Sequence, residues 1–124
     1  MPQPNPVRWF EIYVQDIDRA RHFYETVLDT TLTRLDSGGP EMWAFPSAQS
    51  EYGVSGTLVK MDGVRSGGNS TLVYFGCDEC SVEAGRIAGA GGTVHRDKMS
   101  IGQYGYVVLA LDSEGNMIGL HSMR

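Results

Sequence analysis

Between Trp9 and Leu28 the apolar residues change their spacing, and that change fixes what the chain can build there. Phe10, Ile12 and Val14 alternate with Trp9, Glu11 and Tyr13, the pattern of a strand with two unlike faces. From Ile17 onward the apolar positions are Ala20, Phe23, Tyr24, Val27 and Leu28, which form one stripe of an amphipathic helix. Asp16 stands where an N-cap is wanted, and Asp18 puts negative charge in the first turn, where the helix dipole favours it. The helix stripe needs an apolar surface, and the nearest is the Phe10, Ile12 and Val14 face of its own strand. Trp9, Glu11 and Tyr13 then point the other way, so function is expected on that face.

Short strands follow at Leu32 to Leu35, Met42 to Phe45 and Gly56 to Met61. The turn Asp36-Ser37-Gly38-Gly39-Pro40 and the polar loop Gln49 to Gly53 separate them. Asp62 to Ser70 is polar, Gly-rich and aperiodic, and reads as a linker. The pattern then begins again. Leu72 to Cys77 is a strand, and Cys80, Ala84 and Ile87 mark a helix stopped by the glycines at 89, 91 and 92. Thr93 to Arg96 is a short strand, Met99 to Gly105 a loop and Tyr106 to Leu111 a strand. A hairpin turn at Asp112 to Gly115 leads to a last strand, Met117 to His121. Val14 and Trp9 correspond to Cys77 and Leu72, and Gly53 and Thr57 to Gly115 and Gly119. A repeat of about 60 residues with the order strand, helix, three strands is a tandem supersecondary unit. The expectation is one α+β domain over 1–124, with two βαβββ modules at about 7–62 and 71–124 joined by the linker 62–70.

Composition narrows the function classes. The net charge is −5 and the basic residues are scattered, which argues against nucleic acid, since phosphate recognition needs clustered Lys and Arg. No apolar run approaches the length of a membrane helix, so no membrane partner is expected. The Pro-rich start MPQPNPVRW has no apolar signal core and reads as a lead-in strand or arm, and a cytoplasmic location is expected by default.

The stretches Val14-Gln15-Asp16-Ile17-Asp18-Arg19-Ala20-Arg21-His22-Phe23-Tyr24 and Asp112-Ser113-Glu114-Gly115-Asn116-Met117-Ile118-Gly119-Leu120-His121, set in this order of elements, resemble the vicinal oxygen chelate superfamily. That group includes glyoxalase I, bleomycin- and fosfomycin-resistance proteins and extradiol dioxygenases. The resemblance implies that the modules form a concave mixed sheet and that the protein is a homodimer. Asp29 departs from the pattern, which usually has Gly at the helix end. Enzymes of the group hold a divalent metal with one ligand from each of four strands, and the metal polarises two adjacent substrate oxygens. Those positions fall here on Trp9, Thr57, Leu72 and Gly119. Indole, leucine and glycine cannot ligate a cation, and threonine alone is a poor anchor. The usual metal site is therefore expected to be missing, with no cofactor in its place.

Glu11 and His121 lie two residues beyond emptied ligand positions, so strand parity keeps both on the inner face. If they meet, they are the candidate catalytic pair, a carboxylate orienting an imidazole. Otherwise they are a polar pair at a cavity rim, or two ligands of a displaced metal site. Trp9, Tyr13, Thr57, Leu72, Tyr74, Tyr106, Met117 and Gly119 are the candidate substrate-binding residues, because aromatic and Met side chains suit a flat organic ligand. The alternative is that they fill a module or dimer interface. Cys77-Asp78-Glu79-Cys80 substitutes for apolar positions of the first module, so both thiols are expected reduced and buried. His22 reads as a surface residue, and nothing singles out His95. The leading expectation is a metal-independent binder of a small, partly aromatic molecule. A glyoxalase-like lyase or isomerase, using a divalent metal or Glu11 and His121, is the alternative, and a structural module without ligand is the third.

Overall fold

The computed structural model describes residues 5–36, 38–48 and 51–124. Residues 1–4 of the lead-in, Ser37 of the expected turn, and Gln49 and Ser50 of the polar loop lie outside the described residues. The elements are β1 (Trp9–Tyr13), α1 (Ile17–Val27), β2 (Thr33–Leu35), β3 (Glu41–Ala44), β4 (Ser55–Lys60), β5 (Tyr74–Gly76), α2 (Cys80–Ile87), β6 (Thr93–Ser100), β7 (Tyr106–Leu111) and β8 (Met117–Ser122). The expected βαβββ order occurs twice. The strands form two four-stranded mixed sheets, β1-β4-β3-β2 and β5-β8-β7-β6. In each module the first strand pairs parallel with the last, and the remaining pairs are antiparallel. The architecture is α+β with two modules.

The start of α1 follows from its sequence. Asp16 has extended backbone, and its carboxylate accepts from the Arg19 N–H at 3.0 Å. At the other end Leu28 N–H donates to Tyr24 O and Thr30 N–H to Glu25 O. Those two bonds close the helix only because Asp29 takes a left-handed conformation with φ 51°. A glycine would adopt that conformation without the Cβ clash. In α2 the cap is Glu79, which accepts from Ser81 N–H at 2.7 Å and also pairs with Lys98. The chain then leaves through a 3₁₀ turn at Ala88–Ala90 and Gly91, whose φ is 101°.

Both helices cover one side of the sheets and share one core. Phe23, Tyr24, Leu58, Ile87, Ile118 and Leu120 are its largest fully buried side chains. Phe10, Phe45 and Phe75 stack around Tyr24 with ring centres 5.4 to 6.1 Å apart. The modules are also tied by polar contacts. Arg86 donates to Val27 O at 3.0 Å, and Asn116 Nδ2 to Tyr13 O at 3.0 Å.

Most strand boundaries move by one residue from the sequence expectation, and those of β5 and β6 move further. β6 continues to Ser100, so the loop shrinks to Ile101–Gly105. Two register shifts, between Val94 and Arg96 and between Arg96 and Met99, break its alternation and hide the second half of the strand. β5 begins at Tyr74, which leaves Leu72 in the extended stretch before it.

Candidate functional site

On β1 the helix-facing residues are Phe10 and Ile12, while Trp9 and Glu11 are exposed and Tyr13 is half-buried on the other face. Glu11 lies opposite Thr57 of β4, so the two share that face. Tyr13 Oη donates to Glu11 Oε1 at 2.6 Å, and this bond holds the phenol above its ordinary pKa, with burial and the carboxylate charge adding to it. Thr57 is completely buried beneath its neighbours, and its Oγ1 has no hydrogen-bond partner.

In the second module Tyr74 lies opposite Gly119, and Gly76 opposite His121. His121 in turn lies opposite Val107, and Met117 opposite Leu111. Tyr74, Met117, Gly119 and His121 therefore share the face away from the helices. His121 Nε2 is 2.6 Å from the Tyr104 carbonyl oxygen. A carbonyl can only accept, so Nε2 carries the hydrogen and Nδ1 of the neutral ring is the acceptor. Tyr106 belongs on the opposite face, which corrects its assignment. It lies across from Ser122, packs against the core and has the Lys98 ammonium 4.6 Å from its ring centre. Leu72 is half-buried and precedes the strand.

Glu11 and His121 have different partners and line different cavities. Glu11, Tyr13 and Met117 line a small cleft of about 250 Å³ beside the linker residues Arg65 and Gly67. His121 and Tyr74 line a larger cavity of about 820 Å³ between the modules. Its wall is mainly apolar, with Phe10, Phe45 and Phe75 contributing rings, and Glu83 of α2 is its carboxylate. The sequence reading missed Glu83. The available signal was a charged residue beside the apolar positions Cys80, Ala84 and Ile87 of a short helix.

The four superfamily metal positions do not present a donor set. Trp9 is exposed, Thr57 is sealed in, and Leu72 has no donor. At Gly119 a Cβ would come within 2.3 Å of the Tyr74 ring, so the ring fills the space a ligating side chain would need. Among the described residues no group of three His, Cys, Asp or Glu side chains could hold a metal ion. These residues do not fit a divalent cation at the usual position.

The D-x-E-G-N motif of the last hairpin is structural. Asp112 accepts from Tyr24 Oη at 2.5 Å and from the Glu114 and Asn116 N–H groups at 2.8 and 2.9 Å. Burial first, and then Asp112, push the Tyr24 phenol well up. Glu114, with its side chain fully enclosed, accepts from Gln15 N–H, Asp16 N–H and the Arg19 guanidinium at the start of α1. Burial pulls its pKa upward, but the Arg19 bonds and then the backbone N–H groups outweigh it and hold the carboxyl at about 2. Cys77 is half-buried and Cys80 buried, both as free thiols. His22 and His95 are exposed.

Comparison with known proteins agrees with this geometry. Residues 7–36 match the family model described as bleomycin resistance protein-like N-terminal. A hypothetical protein from S. aureus superimposes with a TM-score of 0.72 at 17% identity, covering 97% of this chain and 95% of that one. The glyoxylase/bleomycin resistance protein/dioxygenase domain from Frankia sp. EAN1pec gives 0.72 at 17%, covering 98% and 100%. The chain has the fold that these glyoxalase and bleomycin-resistance structures share. Glyoxalase I from Zea mays gives 0.74 at 20% identity, covering 97% of this chain but 47% of that one, so the chain spans about half the length of the maize enzyme. No curated protein matches in sequence. At these identities the superfamily likeness describes the scaffold, and chemistry has to be argued from the side chains. No helix among the described residues is long and apolar enough to cross a membrane.

Proposed function

We propose that this protein binds a small, partly aromatic organic molecule between its modules, without the metal centre used by enzymes of the vicinal oxygen chelate superfamily. The observation that carries the reading is the Tyr74 ring over Gly119. One aromatic side chain both takes up the room of a metal ligand and lines the larger cavity. The cavity volume, about 820 Å³, suits a drug-sized ligand, and its aromatic wall supplies stacking surface. An acid–base lyase or isomerase is the weaker reading. It would need Glu11 and His121 to work on one substrate, yet within one chain each is engaged elsewhere. A homodimer belongs to the proposal. Exposed Trp9, Val54 and Tyr74 are the apolar surface a second copy would cover, which sedimentation can test as a mass of two chains.

The test of binding is a thermal-shift screen of mono- and bicyclic aromatic compounds. Compounds that raise the melting point of the wild type should do so less in Tyr74→Ala. A complete absence of hits, or hits indifferent to Tyr74→Ala and to Phe75→Leu, would remove the support for this cavity.

A further inference from the structure

We infer that the open slot over Gly76, between the Tyr74 and His121 side chains, seats the ring of a hydroxylated aromatic ligand whose O–H donates to His121 Nδ1. This rests on the ligand-binding reading above and adds the seat and the polar group of the ligand to it.

Among the described residues the glycines that lie within strands are Gly56, Gly76 and Gly119. A Cβ at Gly56 would come within 2.4 Å of the Phe10 carbonyl oxygen, and one at Gly119 within 2.3 Å of the Tyr74 ring, so close packing explains both. Gly76 has no such reason. Its φ is not left-handed, and a Cβ there would meet no atom within 4 Å beyond its chain neighbours. Glycine in a strand costs conformational entropy relative to alanine, and it commonly marks a place where a ligand or another backbone approaches closely. Gly76 is exposed and lines the cavity between the modules. It lies opposite His121, so the empty space stands on the His121 face of the sheet.

The walls of the slot set what it takes. Tyr74, two residues earlier on the same face, is folded across Gly119, and its ring offers a stacking surface. His121 forms the other side. Its Nε2 hydrogen goes to the Tyr104 carbonyl oxygen at 2.6 Å, which ties the ring to the loop Ile101–Gly105, and no residue of that loop lines the cavity. A neutral imidazole with its hydrogen on Nε2 keeps a lone pair on Nδ1, and among the described residues Nδ1 has no partner. Toward a ligand the ring is therefore an acceptor. No lysine or arginine lines the cavity to receive an anion. An aromatic ring carrying an uncharged hydroxyl matches both walls. An ether of the same shape lacks the hydrogen, and a carboxylate sets its own lone pairs against that of Nδ1.

Naphthol, methoxynaphthalene and naphthoate, each substituted at the same ring position and titrated calorimetrically at pH 8, separate the ring from the hydroxyl. Naphthol should bind about fivefold tighter than the ether, the worth of one neutral hydrogen bond, and the carboxylate most weakly. His121→Phe keeps a ring and loses the acceptor, so it should bring naphthol down to the ether. Gly76→Ala should keep or raise the melting point of the free protein, since its methyl group meets no other atom. The same methyl group takes ligand space and should weaken both naphthol and the ether by about fivefold or more. Equal binding of naphthol and ether, tighter binding of the carboxylate, a naphthol preference that survives His121→Phe, or unchanged binding in Gly76→Ala would overturn the inference while leaving Tyr74-dependent aromatic binding intact. A sedimenting mass that falls in Gly76→Ala as binding is lost would give the space to a second copy and overturn it too. If none of the three binds while other aromatic compounds give Tyr74-dependent melting shifts, the inference falls alone. If no aromatic compound binds, it falls together with the binding reading.

Discussion

Replacing Glu114 by glutamine removes a charge from the most connected carboxylate of the chain. Glu114 Oε1 accepts from Gln15 N–H at 3.0 Å, Asp16 N–H at 2.9 Å and Arg19 Nη2 at 2.9 Å, and Oε2 accepts from Arg19 Nε at 2.6 Å. Glutamine has one acceptor oxygen and turns an N–H₂ group toward donors. Glu114 has its carboxyl lowered from 4.5 to about 2, which corresponds to about 3 kcal/mol at 1.36 kcal/mol per unit. Arg19 is 54% exposed, so solvent screening brings the expected loss to roughly 2 kcal/mol. The sign with pH follows from the lowered value. The stabilisation is complete above the unfolded carboxyl pKa, near 4.5, and disappears as pH falls toward about 2. Urea unfolding of wild type and Glu114→Gln at pH 7 and pH 3 measures this. The gap should be roughly 2 kcal/mol at pH 7 and clearly smaller at pH 3. A gap that stays constant with pH, or is absent at pH 7, would refute the claim that the charge of Glu114 fastens the last hairpin to the start of α1.

Further outcomes follow from single contacts. Asp29→Gly relieves a left-handed aspartate and should stabilise the fold by about 1 kcal/mol in the same urea assay. Gly92→Ala would set a Cβ 2.5 Å from the Leu111 carbonyl oxygen, where backbone cannot yield, and should cost roughly 3 kcal/mol. In Gly119→Ala the nearest atoms are those of the Tyr74 ring, which is 48% exposed and can swing away, so its cost should be nearer about 1 kcal/mol. Native protein at pH 8 should react with a thiol reagent at neither cysteine, since burial holds Cys77 up at about 12 and Cys80 is enclosed, whereas both react in guanidinium.

The paired modules were legible because each begins with a strand whose alternation gives way to a helical stripe, and because Asp16 marks the boundary. The outward face of β1 could be read for the same reason. Tyr106 could not be assigned a face, because β7 reads Tyr-Val-Val-Leu-Ala-Leu and is apolar on both sides, so alternation carries no information there. Glu114 looks like a turn residue in sequence, yet its partners lie 95 to 99 positions away at the start of α1. Glu83 escaped notice because a glutamate on a short helix ordinarily faces water. The space beside it exists only once Phe10, Phe45 and Phe75 from separate strands and loops have come together. Glu11 and His121 had the parity to meet, but parity assigns a face within a sheet and says nothing of how two sheets are set against each other.

The proposed ligand binding needs no bound cation. Calorimetric titration of the best aromatic ligand, in buffer stripped with a chelator and again with added Zn²⁺, Ni²⁺ or Mn²⁺, addresses it in one experiment. The prediction is the same affinity and stoichiometry in every buffer. Binding that disappears in the chelator and returns with one stoichiometric ion would contradict it.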